Sequence, residues 1–444
     1  MTYPEVNKYL NSLANYEKNI NYSYPKTLKL ARIQDFLFLI GNPQQSLRII
    51  HIAGSKGKGS TCALVAYILR ASGFSVGLYT SPHLNDFRER IRILLPLASK
   101  RKKAPGDFEG LIPKKALVKL VQELRPAIMR YNRNSKQGEL SFFEVYTALA
   151  FLYFKQKRVD FVVLETGLGG RLDATNAAGS LVCGITPLSL EHVEKLGHTL
   201  AKIAGEKAGI IKQKRAIVIS AHQEKEAAGV IGDRCKKFQA QLYAVGKQIK
   251  YSVSKKGLTI KGLRNSYQNL RLNLLGAHQA ANAALAVGLV EALSFYGVKL
   301  KANSIRQGVG QAVWPGRCEV AGRNPLIILD GAQNSASAQV LRKTIEDDFK
   351  YRKLTLVLGI SADKDISGIC KKLEPIADEI ILTRAATSRA IDPAKLAGYL
   401  KRKLHLTQSV KEAKLLAGSL AGKKDLILVT GSLFVVGEFR DVGK

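Results

Sequence analysis

The residues with the clearest chemistry are Gly54-Ser55-Lys56-Gly57-Lys58-Gly59-Ser60-Thr61. Glycines let backbone N–H groups come close to phosphates, and a helix start adds a favourable dipole. Lys58 is the cation that can reach β- and γ-phosphates, and a hydroxyl of Ser60 or Thr61 can meet a magnesium shell. The loop departs from the strict G-x-x-x-x-G-K-[ST] form, because Gly59 separates Lys58 from Ser60 and one residue is missing from the front. A glycine-rich turn in a basic protein is the competing reading. The strand–loop–helix context favours nucleotide binding, which identifies a nucleotide but no reaction.

Five other positions carry charge or a ligating atom. Glu165 ends the apolar run Phe161-Val-Val-Leu-Glu165, where it suits either a magnesium ligand or a solvated strand end. His192 follows Ile185-Thr-Pro-Leu-Ser-Leu-Glu; magnesium prefers oxygen, so spacing alone reads it as a surface or hydrogen-bonded histidine. Lys207, in Gly205-Glu-Lys-Ala-Gly, reads alone as an ordinary helix lysine. Arg317, in Trp314-Pro-Gly-Arg317, suits a transferring phosphoryl group, with a surface arginine as the alternative. Asp330, in Leu329-Asp-Gly-Ala-Gln-Asn334, suits a ribose acceptor or a turn. Gln279 and Asn282 are i, i+3 neighbours on one helix face and can present their amides together.

Short apolar runs alternating with amphipathic segments must position these groups, which is the pattern of an α/β protein. Strands are expected over 47–53, 76–79, 161–165, 181–185 and 216–220, with helices over 60–71, 142–155 and 277–294. A second α/β unit follows, with strands over 326–329, 354–358, 379–383 and 425–430 and a boundary near 297–302. The expected division is therefore 1–300 and 301–444. The basic, Pro/Gly-punctuated stretch 95–110 reads as an exposed loop or insertion.

A hydrophobic share of 46% excludes a disordered chain, and no apolar run is long enough to span a membrane. The N-terminus lacks the layout of a signal peptide, so a cytoplasmic enzyme is expected. The five scattered cysteines show no C-x-x-C spacing, which argues against disulfides and zinc. The 69 basic minus 35 acidic residues give +34, and the basic residues form only short clusters, such as those at 100–103, 155–158 and 401–403. Without interleaved aromatics they do not read as a nucleic-acid surface; attraction of anionic substrates is an alternative source of such an excess.

Taken in order, HIAGSKGKGST, GLYTSPHLNDFRERIRI, ELSFFE, LETGLGGRLDATN, LSLEHVEKLGHTLAKIAGEKAGIIK, LLGAHQAANAALA, WPGRCEV, ILDGAQNSAS, LGISADKD and VTGSLFVVGEFR resemble bacterial dihydrofolate synthase/folylpolyglutamate synthase, within the Mur-ligase superfamily. The segment Tyr79-Thr-Ser-Pro-His-Leu84 is diagnostic of the folate branch. The resemblance implies a P-loop-type Mur-ligase central domain followed by a smaller Rossmann-like C-terminal domain. It implies an ATP- and Mg²⁺-dependent ligase that adds L-glutamate to dihydropteroate or folates through an acyl phosphate; a monomer is the default expectation. It implies that Gly57, Lys58, Gly59, Ser60, Asn282, Arg317 and Asp330 hold ATP, and that Lys58, Lys207 and Arg317 serve catalysis. It further implies Ser81, Glu165 and His192 as magnesium ligands and Lys207 as a carbamate. Arg32, Leu140, Ser141, Phe142, Phe143, Leu172, Asp173 and Ala174 become contacts of the acceptor.

This chain departs from the family pattern at Ser55-Lys56, which replaces Thr-Asn, and at Gln333, which replaces histidine. Lys29-Leu-Ala-Arg32 also lacks the family's usual acid. Asp173 resembles enzymes that accept dihydropteroate, which points to both activities. Three other readings compete. A cell-wall ligase would need a uridine-nucleotide domain, for which the 53 residues before Gly54 are too few. A basic RNA-binding protein on the same scaffold would not need the Lys58, Glu165, His192, Lys207 and Arg317 set. A phosphotransferase would not need glutamate.

Overall fold

The computed structural model describes residues 1–17, 22–96 and 108–442. The cluster at 100–103 and most of the 95–110 stretch lie outside the described residues. The first unit is built on strands β1 (Ile49–Ala53), β2 (Val76–Tyr79), β3 (Ile91–Leu94), β4 (Phe161–Glu165), β5 (Val182–Ile185), β6 (Ile217–Ser220) and β7 (Gln241–Ala244). They form one seven-stranded sheet in the order β3-β2-β4-β1-β5-β6-β7, parallel except for β3. β1 sits at its centre between β4 and β5, buried along its whole length. A strand buried on both faces must be apolar on both, which is why these runs do not alternate.

Helices Lys58–Ala71 and His278–Glu291 cover one face, with Leu64, Val65, Ile68, Leu285 and Leu289 fully buried. Each such side chain contributes about 1.5–3 kcal/mol of burial, so the helix that starts at the glycine loop is firmly anchored. Helix Phe142–Gln156 covers the other face with Phe142, Val145, Leu149 and Phe151. Helix Ala302–Gln311 lies beyond the expected boundary at 300, yet it places Ile305 and Val309 in the first core. Strands β8 (Lys250–Ser254), β9 (Gly257–Lys261) and β10 (Ser266–Leu270) make a separate antiparallel sheet that the sequence reading did not anticipate.

The second unit holds β11 (Glu319–Arg323), β12 (Leu326–Leu329), β13 (Leu354–Leu358), β14 (Glu379–Leu382), β15 (Leu404–Leu406) and β16 (Leu426–Thr430). Their order is β11-β12-β16-β13-β14-β15, and all pairs but β11–β12 are parallel. In such sheets ligands gather beyond the carboxyl ends of the strands. Here the loops beyond those ends in both units line one cleft of about 1290 Å³. That exceeds the roughly 300–1,000 Å³ of a single small-molecule pocket, so there is room for more than one substrate.

Candidate active site

The loop after β1 owes its shape to its glycines. Gly57 has φ +81°, in the left-handed region, and a Cβ there would meet Asn282 Oδ1 at 2.4 Å. A Cβ on Gly59 would come within 2.8 Å of the Trp314 indole. Trp314 therefore closes over the loop, a role the motif reading did not assign to it. Lys58 Nζ donates to Gly54 O at 2.9 Å and to Ser55 O at 3.4 Å. Gln279 Nε2 donates to Ser60 Oγ at 3.4 Å, and Asn282 Nδ2 donates to Gln279 Oε1 at 2.9 Å.

The second unit supplies Arg317 and Asp330. Asp330 follows β12 and accepts from the N–H groups of Cys318 and Ala332, both at 2.8 Å. Its burial raises its pKa, while Arg317 and those donors work the other way. Arg317 and Asp330 line the cleft together with Lys58 and Ser60. Asn282 supports Gly57 from behind.

Glu165 ends β4 fully inside the protein and accepts the Ser81 N–H at 3.1 Å. Burial raises its pKa above the usual carboxylate range, against the pull of Lys58 and Arg317. Ser81 and Glu165 are thus joined through the Ser81 backbone, and both line the cleft. His192 lines the same cleft but sits beside Glu191, in the left-handed region at φ +50°. Burial holds its imidazole down at a pKa of about 4, hence neutral. Among the described residues no three His, Cys, Asp or Glu side chains converge as a ready-made metal site.

Lys207 is 2% exposed and donates to Gly54 O at 2.7 Å and to Glu191 Oε1 at 3.2 Å. Burial and the nearby Lys58 lower its pKa to about 8. Burial pushes Glu191 up, but Lys58, Lys207 and Lys56 outweigh it, and its carboxyl lies below the usual range. Glu191 was not singled out in the sequence, although it directly precedes His192.

On the acceptor side Ser141, Phe143, Leu172, Asp173 and Ala174 line the cleft. Arg32, Leu140 and Phe142 do not; they form the wall behind it. Arg32 is 5% exposed, and its Nε donates to both Glu144 oxygens at 2.8 and 2.9 Å. Glu144 also closes a capping box with Ser141, accepting from its N–H and Oγ–H, which starts helix Phe142–Gln156. The resemblance implies Arg32 as an acceptor contact, whereas the fold pairs its guanidinium with the buried Glu144.

Sequence reasoning also passed over Arg389 and gave Asp363 and Lys364 no role, although the latter two lie in a quoted segment. All three line the cleft from the second unit, and Arg389 Nη2 donates to Asp363 Oδ2 at 2.7 Å. Arg90, 1% exposed, pairs with Glu17 at 2.5 Å. Gln333 is exposed on the cleft wall, and its N–H donates to Ser337 Oγ at 3.1 Å.

Comparison with known proteins identifies relatives over nearly the whole chain. The Mur ligase middle domain matches residues 118–290, and the Mur ligase, glutamate ligase domain matches residues 316–433. The chain is 32% identical over 429 residues to dihydrofolate synthase/folylpolyglutamate synthase of Bacillus subtilis, covering 93% of this chain and 94% of that protein. It is 35% identical over 448 residues to folylpolyglutamate synthase of Lacticaseibacillus casei, covering 96% and 98%. Among solved structures, Mycobacterium tuberculosis folylpolyglutamate synthase complexed with ADP superimposes with a TM-score of 0.85 at 31% identity, covering 100% of this chain and 98% of that one. E. coli FolC in complex with DHPP and ADP gives a TM-score of 0.83 at 29% identity, covering 98% and 97%.

Proposed function

The chain belongs to the dihydrofolate synthase/folylpolyglutamate synthase family of Mur ligases, and on that premise we propose how its residues share the work. It is an ATP-dependent ligase that joins glutamate in folate metabolism. The observation that carries the reading is the single cleft in which Lys58, Ser60 and Glu165 of one unit face Arg317 and Asp330 of the other. In this reading the backbone of 54–60 and Lys58 hold the phosphates, Arg317 completes the cationic cradle and Asp330 takes the ribose. An acceptor carboxylate attacks the γ-phosphorus of ATP, the bond to the β,γ-bridging oxygen breaks and ADP leaves, giving an acyl phosphate. The amine of L-glutamate then attacks that carbonyl, forming the amide and releasing phosphate. Positioning and charge neutralisation supply the rate, and a closed cleft keeps water from the acyl phosphate.

Glu165 and Ser81 suit Mg²⁺, which binds through one or two carboxylates and keeps its remaining positions for water and phosphate oxygens. Such an ion would neutralise phosphate charge. His192, neutral and on the same cleft, is the third proposed ligand.

The division proposed is an ATP-binding domain over 1–300, extended by helix Ala302–Gln311, which packs into its core, followed by a glutamate-ligase domain over the rest. A monomer suffices, because one chain supplies both sides of the cleft. Five buried free thiols accord with a cytoplasmic setting. No helix among the described residues is long and apolar enough to cross a membrane.

Lys207 is proposed to carry a carbamate. Its lowered pKa enlarges the share of neutral amine, which attacks CO₂ to form the N–C bond and loses a proton to water. Lys58 lies near enough to act on the new anion. With ¹³C-bicarbonate, a carbamate carbon resonance is expected in the parent and absent in Lys207→Arg; no such resonance in the parent would refute the assignment.

Asp173 on the cleft wall supports a bifunctional enzyme. Phosphate release and product masses are to be measured with L-glutamate and either dihydropteroate or tetrahydrofolate. A one-glutamate gain on both acceptors is expected. Gain on one alone would restrict the enzyme to that step, and gain on neither would overturn the assignment, with Gln333 the first residue to suspect.

A further inference from the structure

A chain of hydrogen bonds runs from the middle of the first sheet to the acceptor wall. His51, on β1, is 1% exposed, and its Nε2 lies 2.8 Å from Thr175 Oγ1. Thr175 is fully buried, and its Oγ1 donates to Asp173 Oδ1 at 2.5 Å. Asp173 accepts three more donors: the N–H of Thr175 at 3.0 Å, and those of Gly167 and Leu168 at 2.9 Å each. One carboxylate thus ties both ends of the segment 167–175.

The donor directions follow from proton counting. A hydroxyl has one proton, and that of Thr175 goes to the carboxylate, which accepts only. The hydroxyl must therefore accept from His51, so the histidine carries its proton on Nε2. Burial holds this imidazole neutral, with a pKa of about 3, and Lys212 acts in the same direction. Lys212 in turn donates to Asn176 O at the far end of the segment. Three residues beyond His51, β1 runs into Gly54 of the phosphate loop. The same strand therefore holds the nucleotide loop through its backbone and the acceptor segment through one side chain.

We propose that His51 is a positioning residue for the acceptor, fixing Asp173 through the Thr175 hydroxyl and so setting segment 167–176 relative to the phosphate loop. This rests on the reading that Asp173 and its neighbours contact the acceptor. Orientation of this kind is a large share of catalysis when two substrates must meet.

The test is steady-state kinetics of the full chain, with KM measured separately for ATP and for each acceptor. His51→Leu is expected to raise the acceptor KM about tenfold, as loss of one link to a charged group implies, and to leave the ATP KM unchanged. His51→Gln, whose amide nitrogen takes the place of Nε2, is expected to restore it. Thr175→Val, of equal size, should match His51→Leu, and the double variant should be no worse than either single one. Thr175→Val also decides the matter if His51→Leu does not fold. A joint rise of both KM values would mark the chain as merely structural and overturn the proposal. Asp173→Asn separates the two readings. If it raises the acceptor KM while His51→Leu and Thr175→Val do not, the relay alone is wrong. If it leaves that KM unchanged, the acceptor reading of the segment falls, and the proposal with it.

Discussion

Lys58→Ala is expected to lower kcat by about 10²–10³-fold, the usual consequence of removing one preorganised group that stabilises transition-state charge. Lys58 is held at the mouth of the loop by Gly54 O and Ser55 O, so its ammonium waits where phosphates would displace those carbonyls. Its charge also reaches Glu165, Glu191 and Lys207; it opposes the upward push of burial on Glu165 and helps to lower the other two. Removal takes away the phosphate clamp and unbalances the acids and base around it. The fold should survive, because Lys58 is half-buried at the first position of a helix anchored by Leu64, Val65 and Ile68. Lys58→Arg should recover only part of the activity, since a planar fork does not occupy the place of a compact ammonium. Phosphate release by a folded alanine variant at a rate near the parent's would remove Lys58 from the reaction.

The second large effect is on stability. Glu144→Ala should destabilise the protein by about 3–5 kcal/mol, the range for a buried charge stripped of its partner. The side chains of Arg32 and Glu144 are only 6% and 7% exposed. Losing the carboxylate leaves the guanidinium with Thr27 O as its remaining acceptor among the described residues and also undoes the capping box at Ser141. Replacing both charges, as in Arg32→Met with Glu144→Leu, should cost less than Glu144→Ala alone, because no uncompensated charge remains. Urea unfolding midpoints decide this. A double variant weaker than the single one would mean that the pair contributes net stability of its own.

Much of the site is legible in the sequence for a local reason. A phosphate loop needs glycines at left-handed or crowded positions, and Gly57 and Gly59 occupy such places against Asn282 and Trp314. Buried parallel strands need unbroken apolar runs, so β2, β12 and β13 are found with the bounds expected of them. β8, β9 and β10 went unread because polar residues interrupt their apolar ones, so none forms an unbroken apolar run, and they are held by each other's hydrogen bonds.

What the sequence by itself determined is the inventory: a phosphate loop, an acid at a strand end, a lysine, an arginine and an aspartate in family order. Each depends on residue type and near neighbours. What only the tertiary structure decided is which of them meet, and across what. Arg317 acts on Glu165 from another domain, Lys207 is paired with Glu191, and Arg32 is spent on Glu144 behind the cleft wall. His51 reaches Asp173 through a threonine more than a hundred residues away in the chain. Such pairings form when packing removes water and leaves each buried polar group to find a partner inside the protein. No local pattern encodes that choice.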